Sequence, residues 1–420
     1  MNTVKEKKLN AIQLSGLIIG PILGSGIIIL PPLIYEVAGE YAILSWVIIM
    51  IVNCFFAYLF GQLSMKFPGD AGVTQAIEAV FGKQIRMLAS FFIIGAVCFG
   101  PIAVLLTAAQ FLPNPFLSTE WTAFVLMGLS LVILLRHVSF VGQLSFILSS
   151  ISVILLFSGG LVSLVLEPKL VSMNTSFDLS SFGSSLLLLF WMVVGWEVIG
   201  NYSNEVKNTR KTIPRAITFS TITITVVCLI VAAAIQWSDI QGEYITVTAV
   251  LKPLFGSAAN VIMGIVAPSL CLTGVILFIG GIARLIHSTG VENKWPKIFT
   301  YKTANAVPIT GIIMLFTVHM FVFIFIFFDV LHVQQLVAIA DAFFISNVLV
   351  CLLAAWKLFP SKKVKIMITI MCIVLFGILL FSSPYVLIVI VLLMCFFITK
   401  QVKENKQAAL HLDQPVYSKR

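Results

Sequence analysis

Charged side chains are scarce in this chain. Aspartate, glutamate, lysine and arginine make up 10% of its 420 residues, and 60% of the residues are hydrophobic, whereas a soluble domain usually has about a quarter charged residues. A soluble fold cannot hide so much apolar surface, because a large part of any folded surface still faces water. The composition therefore excludes an ordinary soluble protein and indicates a chain whose solvent is the lipid bilayer.

The sequence also lacks the residue patterns of common catalytic and metal sites. Its five histidines show no metal-ligand spacing, and its seven cysteines all fall within apolar runs without a paired pattern. We find neither a phosphate-binding loop nor the motif of a catalytic triad. We therefore predict no cofactor and no metal, and we interpret the chain as a non-enzyme that could use ATP only through a partner chain.

Long hydrophilic segments are missing as well, and apolar segments follow one another with short gaps. A membrane-spanning helix needs about 20 mainly apolar residues. Twelve segments are candidates: 12–35, 41–64, 84–112, 120–136, 141–166, 182–203, 212–236, 255–286, 308–328, 331–357, 364–382 and 384–400. The first is too long for a cleaved signal peptide. We predict an all-α membrane protein with twelve transmembrane helices between a terminal segment 1–11 and a tail 401–420.

The basic residues predict the orientation of these helices. If residues 1–11 lie in the cytoplasm and the helices alternate, all 26 lysines and arginines except Lys169 and Lys252 fall on the cytoplasmic side. Basic residues concentrate on that side of membrane proteins. We therefore predict a multi-pass protein of the cell membrane with both termini in the cytoplasm, and we assign the net charge of +9 to topology and lipid contact rather than to nucleic acid.

Two of the predicted helices are interrupted. Helix 1 contains Gly20-Pro21-Ile22-Leu23-Gly24-Ser25-Gly26-Ile27, and helix 6 contains Trp191-Met192-Val193-Val194-Gly195-Trp196-Glu197-Val198-Ile199-Gly200. In a helix interior glycine costs about 1 kcal/mol and proline about 3 kcal/mol, and membranes tolerate unwound backbone only inside protein or beside a cavity. Interruptions at matching positions of two halves point to a transporter binding site. The alternative is that the glycines only allow close helix packing.

Several of these segments resemble the signatures of the amino acid–polyamine–organocation (APC) superfamily. The resemblance covers about residues 10–400, with Ala71 in place of a glycine in the second motif. The motifs are Gly24-Ser25-Gly26-Ile27 followed by Pro31, Phe67-Pro68-Gly69-Asp70-Ala71-Gly72, Gly195-Trp196-Glu197, Asn204-Glu205-Val206-Lys207-Asn208 and Ile213-Pro214-Arg215-Ala216-Ile217. Within the superfamily the chain is most similar to the amino-acid efflux branch, whose members are described as exporters of methionine and branched-chain amino acids.

The resemblance implies a five-plus-five inverted-repeat (LeuT-like) fold that works by alternating access. The repeats would cover about 12–166 and 182–357 within a transporter domain 12–400, and helices 11 and 12 (364–400) would follow. The substrate carboxylate would meet the first break, the ammonium would meet the carbonyls of Ile22, Trp191 and Val194, and Trp191 would act as a gate. The implied substrate-binding residues are Ile22, Gly24, Ser25, Gly26, Ile27, Trp191, Val194 and Gly195.

Two acidic residues lie within predicted spans and are candidates for proton coupling or gating. Glu197 lies within the break of helix 6, and Asp341 lies in helix 10. A charge in mid-span is costly, so intramembrane carboxyl groups are functional candidates by default. Glu197 also matches a glutamate linked to the proton response of some superfamily members. The alternative is a neutral carboxyl group that only braces the broken helix.

We therefore predict a secondary transporter of neutral, apolar L-amino acids such as methionine, leucine, isoleucine or valine, working as a proton-coupled exporter. A valine, Val275, stands near the position where certain relatives have a tryptophan, which argues against a guanidinium substrate. The alternatives are an importer of the same fold and an amino-acid receptor or germinant sensor that does not transport. A sodium site is a further alternative, although such hydroxyl groups usually bond to their own or a neighbouring helix. Its candidate residues are Ser149, Ser150, Ser152, Ser269 and Thr273.

Overall fold

A computed structural model describes residues 8–112, 116–166, 168, 176–238, 246–303, 306–380 and 382–412. Within these ranges the chain is helical, and its only β-type pairings are isolated bridges at Leu9–Val206 and Pro168–Ser238. The predicted ends of the protein before Lys8 and after Leu412, and the basic residue Lys169, lie outside the described residues.

The described residues form sixteen α-helices. They are α1 (Ala11–Leu23), α2 (Gly26–Ala38), α3 (Ala42–Lys66), α4 (Thr74–Phe81), α5 (Lys83–Gln110), α6 (Thr119–Leu134), α7 (Val138–Leu166), α8 (Leu179–Leu189), α9 (Trp196–Ile199), α10 (Thr209–Trp237), α11 (Lys252–Phe255), α12 (Ala259–Glu292), α13 (Ile309–Phe327), α14 (Val333–Leu358), α15 (Lys362–Leu379) and α16 (Pro384–Leu412). Short 3-10 helices join several of them, notably Phe190–Val193, Gly200–Glu205 and Val247–Leu251.

Each predicted apolar segment coincides with helix in the structure, but length and hydropathy select fewer than twelve spans. Nine stretches of the described chain are long and apolar enough to cross a membrane, and α6 is apolar but shorter. The count of twelve spanning helices and the inverted repeats over 12–166 and 182–357 stay predictions. One boundary differs clearly, since α16 continues to Leu412 through part of the predicted tail. The reason is that residues 401–412 contain good helix formers and neither glycine nor proline.

The described chain divides into two compact units. The first contains the residues up to Gly72 and Val97–Val337, and the second contains Val73–Ala96 and the residues from Ala338 onward. In the second unit, α16 is tied to the start of α5, where the Gln84 side chain donates to the Glu404 carboxylate at 2.6 Å.

The core of the first unit is built around α1. Every residue of α1 from Leu14 to Leu23 is buried, as expected of a helix that is apolar on all sides and packs inside a bundle. A Cβ atom on Gly16 would lie 2.4 Å from the Cα atom of Phe146 in α7. The glycine therefore allows the backbones of α1 and α7 to approach closely, as small residues do in membrane helices.

A buried histidine compensates for a proline in the same unit. Pro101 lies inside α5 and has no amide hydrogen, so it cannot bond to the carbonyl of Val97 four residues earlier. The fully buried His319 of α13 lies 2.8 Å from that carbonyl oxygen through Nε2. Because a carbonyl only accepts, Nε2 must carry the proton. His319 thus supplies the hydrogen bond that the proline removes.

We expect His319→Leu to lower the free energy of unfolding by about 1–3 kcal/mol, because the Val97 carbonyl is then buried without a donor. Thermal unfolding of the purified protein in detergent measures this loss. The exposed His332 offers a matched control, and His332→Leu is expected to have little effect. In a Pro101→Ala background, where an amide can bond to Val97, His319→Leu is expected to cost clearly less. Equal costs in both backgrounds would refute the compensation.

Candidate functional site

The first break separates α1 from α2. The amide of Gly24 still bonds to the Gly20 carbonyl at 2.6 Å, but Gly24 has a φ of +38° and turns the chain out of the helix. Glycine adopts this conformation at low cost because it has no Cβ atom. Among the described residues, no backbone hydrogen bond links the amides of Ser25, Gly26 and Ile27 to α1. These amides at the start of α2 can therefore bind an anionic group.

The second break covers the predicted segment 191–200 and continues to Glu205. The segment predicted as one helix over 182–203 consists of α8, the 3-10 helix Phe190–Val193, the single turn α9 and the 3-10 helix Gly200–Glu205. Between them, Val194 is extended, with φ −75° and ψ 135°, and Gly195 has a φ of +125°. Such a φ is largely restricted to glycine, so Gly195 makes this chain path possible.

The two breaks are in contact with each other. The indole Nε1 of Trp191 donates a hydrogen bond to the Ser25 hydroxyl oxygen at 3.2 Å. A Cβ atom on Gly26 would lie 3.3 Å from the Trp191 ring, and one on Gly195 would lie 3.3 Å from Ile22. The structure therefore brings together five of the predicted site residues. The hydrogen-bonded pair Ser25 and Trp191 is 166 positions apart in the sequence. The other three, Gly24, Ile27 and Val194, are buried within the same two breaks.

Glu197 lies within the second break and bonds back to Gly195. Its carboxyl group is fully buried, and Oε2 accepts a hydrogen bond from the Gly195 amide at 3.1 Å. Its other oxygen, Oε1, is buried and has no hydrogen-bond partner among the described residues. The carboxyl group thus stabilises the irregular backbone through one oxygen, and the second oxygen can still bind a proton or another partner.

Asp341 lies in α14 and belongs to the second unit. Its Oδ1 is buried and has no partner within the part of the chain that the structure describes. The contacts between the two breaks are all made by residues of the first unit, so Asp341 is not among the site residues that the structure joins.

Comparison with known proteins identifies the family. The sequence profile described as amino acid permease matches residues 9–410. The chain belongs to the amino acid permease family. This result confirms the resemblance to the APC superfamily, and with the nine apolar stretches in the described residues it makes the permease a multi-pass membrane protein. Members of this family are transporters rather than enzymes.

Several curated relatives are similar to this permease over most of its length. The L-methionine/branched-chain amino acid exporter YjeH of Escherichia coli (strain K12) is 22% identical over 431 residues, which cover 95% of this chain and 98% of that protein. The cadaverine/lysine antiporter of the same strain is 26% identical over 73% of this chain and 72% of its own. The putrescine transporter PotE of Haemophilus influenzae is 23% identical over 74% of this chain and 75% of its own.

The second tryptophan and the hydroxyl groups near the breaks bond elsewhere in the permease. Trp196 Nε1 donates to the Asn53 side chain of α3 at 2.7 Å. Three of the hydroxyl groups considered for sodium donate to carbonyls of their own helices, Ser149 to Ser145, Ser152 to Leu148 and Thr273 to Leu270. This is the usual arrangement of serine and threonine in membrane helices.

The sequence analysis missed a cluster of polar groups at the lysine-rich end of the first unit. We call it the inner cluster and define it as Asp70, Tyr202, Asn204, Glu205, Arg284 and Lys302. Arg284 forms two hydrogen bonds to the Glu205 carboxylate, at 2.9 and 2.8 Å, and lies over the Tyr202 ring. Lys302 pairs with Asp70 at 2.8 Å. The Arg284–Glu205 pair joins residues 79 positions apart, and the Lys302–Asp70 pair joins residues 232 positions apart. No local sequence pattern predicts pairs at such separations.

The chain ahead of α1 also joins this end of the permease. The Leu9 amide donates to the Glu205 carbonyl at 2.7 Å, and the Lys207 amide donates to the Leu9 carbonyl at 2.8 Å. Gly72, beside Asp70, has a φ of +56°, and its added Cβ would lie 2.9 Å from the Asn201 backbone nitrogen. Glycine is therefore required at this second position of the Ala71-Gly72 pair.

Proposed function

We propose that this permease is a secondary transporter of neutral, apolar L-amino acids that works by alternating access. The observation that carries the proposal is the contact between the two helix breaks, made by the Trp191–Ser25 hydrogen bond. Paired broken helices place free amides and carbonyls around one site. The substrate carboxylate binds the amides of Ser25, Gly26 and Ile27, and its ammonium binds the carbonyls of Ile22, Trp191 and Val194.

The surroundings of the two breaks favour an apolar side chain on the substrate. Met192 lies against Gly26, and Ile22 and Phe278 lie against Gly195. Val275, where certain relatives have a tryptophan, is fully buried in α12. Glu197 is the only acidic residue in the two interrupted segments 20–27 and 191–200, so few charges are available to pair with a cationic side chain. Methionine, leucine, isoleucine and valine fit these surroundings.

Export driven by the proton gradient is the proposed direction and coupling. It is supported by the similarity over 95% of this chain to YjeH, an exporter of methionine and branched-chain amino acids. Other relatives are an antiporter for cadaverine and lysine and a putrescine transporter, so exchange is a related possibility within the same mechanism. An importer of the same fold and a non-transporting receptor are the alternatives, and the experiment must first separate transport from binding alone.

A counterflow assay in liposomes tests the proposal. Purified protein is reconstituted with each of a panel of unlabelled amino acids inside, and entry of labelled methionine is followed with and without a pH gradient. We expect methionine, leucine, isoleucine and valine to support counterflow and lysine and putrescine not to. Binding of methionine without any counterflow would establish the receptor instead.

Glu197→Gln is expected to remove the response of transport to a pH gradient while keeping counterflow of methionine. Glutamine retains an oxygen that can accept from the Gly195 amide, but it cannot take up a proton. The measurement is the ratio of methionine flux with an imposed gradient to flux without one, over several external pH values. A variant with an unchanged ratio and pH profile would show that Glu197 only braces the backbone.

Asp341→Asn provides the companion experiment for the second carboxyl group. We propose that Asp341 is a second proton or gating group, because its Oδ1 is buried and unpartnered in the described chain. The substitution is expected to change the pH response as well. If transport and its proton response both stay intact in Asp341→Asn, this role is excluded and Glu197 remains the one candidate.

We also propose that both termini lie in the cytoplasm, on the strength of the basic-residue distribution. This places the inner cluster at the cytoplasmic end of the transport path. A fluorescent protein fused after Arg420 is expected to fluoresce in cells, whereas alkaline phosphatase fused there is expected to be inactive. Activity of the phosphatase fusion would reverse the assignment.

A further inference from the structure

A groove lies between two neighbouring helices of the second unit. The turn of residues 359–361 connects the end of α14 to the start of α15, and the groove beside it has a volume of about 380 Å³. We call it the lysine groove, and it is lined by Trp356, Lys362, Lys365, Ile366, Thr369 and Ile370. None of these residues belongs to the two breaks or to the inner cluster.

Within the described ranges, the positive charges of the groove have no acidic partner. The sequence contains no aspartate or glutamate from residue 342 to residue 403, and the ion pairs found among the described residues do not include Lys362 or Lys365. The Lys365 ammonium lies 4.5 Å from the centre of the Trp356 ring, which orients it without neutralising it. Two uncompensated lysines beside one groove favour an anionic ligand.

The same groove changes from charged to apolar along α15. Lys362, Ile366 and Ile370 follow one another at intervals of four residues, so they share one face of the helix. Ile366 is 62% exposed and Ile370 is 57% exposed. From Lys362 to Ile370 the helix rises by about 12 Å. A small inorganic anion reaches only the lysine end, whereas a molecule with an anionic head and an apolar tail can contact the whole face.

We propose that the lysine groove binds an anionic phospholipid. The phosphate lies between the ammonium groups of Lys362 and Lys365, and an acyl chain runs along Ile366 and Ile370. Trp356, at 42% exposed, contacts the headgroup level, where tryptophan is enriched in membrane proteins. Basic pockets between membrane helices are suited to such headgroups. The site is independent of amino-acid binding and would exist in an importer, an exporter or a receptor.

The test is native mass spectrometry of the purified full chain with phosphatidylglycerol or phosphatidylcholine of identical acyl chains. We expect selective retention of phosphatidylglycerol. The double substitution Lys362→Gln with Lys365→Gln is expected to lower the occupancy of phosphatidylglycerol by about tenfold or more, because it removes both positive charges that attract the anionic headgroup. The matched control is Lys400→Gln with Lys403→Gln, which removes the same charge from exposed positions of α16 outside the groove.

Three outcomes would overturn the proposal. Equal retention of the two lipids would show that the head charge is not recognised. Equal losses in the two double variants would show that only net charge matters. Displacement of the lipid by millimolar inorganic phosphate, with no effect of Ile366→Asn and Ile370→Asn, would make the groove a site for free anions. Thermal unfolding of each variant near the wild-type temperature confirms that these readings concern the groove and not the fold.

Discussion

Gly195→Ala is expected to reduce methionine counterflow by about tenfold or more. Gly195 has a φ of +125°, and holding a residue with a side chain in such a conformation costs about 1–3 kcal/mol. The added Cβ would also lie 3.3 Å from Ile22. This conformational free energy destabilises the arrangement in which the two breaks are in contact, so we expect transport to fall more than the stability of the fold.

Gly183→Ala is the matched control for this prediction. Gly183 lies in α8, just ahead of the same break, and a Cβ added there meets no atom within 4 Å. Because alanine favours helix over glycine, this substitution is expected to leave counterflow unchanged. If both variants transport at the wild-type rate, the conformation of Gly195 is not needed for transport.

Arg284→Met is expected to have the largest effect on stability, lowering the free energy of unfolding by about 3–5 kcal/mol. Arg284 is buried, and its guanidinium forms two hydrogen bonds to Glu205. Removing the cation leaves the carboxylate, whose side chain is only 16% exposed, without its partner. The unfolding temperature of the purified protein in detergent measures the loss.

A second substitution at Glu205 separates the stability contributed by the ion pair from the instability caused by an unpaired buried charge. Adding Glu205→Met to Arg284→Met is expected to restore most of the stability, because an apolar pair of similar volume can replace a buried ion pair at little cost. Lys302→Met breaks the more exposed pair with Asp70 and is expected to cost less. A double variant as unstable as Arg284→Met alone would contradict this account.

The parts of the fold that depend on local sequence could be predicted. The helices follow from apolar runs, and the break in the first helix follows from Gly24 and its neighbours. The second break was predicted over 191–200, but its continuation to Glu205 was missed, because the 3-10 helix Gly200–Glu205 contains no proline and no glycine after Gly200. Glu197 was predicted as a candidate, but which of its oxygens is engaged depends on the chain path at Gly195.

The partners of polar groups could not be predicted in the same way. The Trp196–Asn53 hydrogen bond joins positions 143 residues apart, and Asp70–Lys302 joins positions 232 apart. The sequence shows that each group needs a partner, because unpaired polar groups in a membrane are costly. It does not show which partner, since that depends on how the helices pack.

The sequence by itself determined that this chain is a membrane protein and where two of its helices are interrupted, because hydropathy and the conformational freedom of glycine are local properties. Only the tertiary structure decided that the breaks touch through Trp191 and Ser25, that Glu197 turns back to Gly195, and that His319 supplies the bond removed by Pro101. These pairings depend on the packing of helices distant in sequence, which fixes which buried donors and acceptors meet.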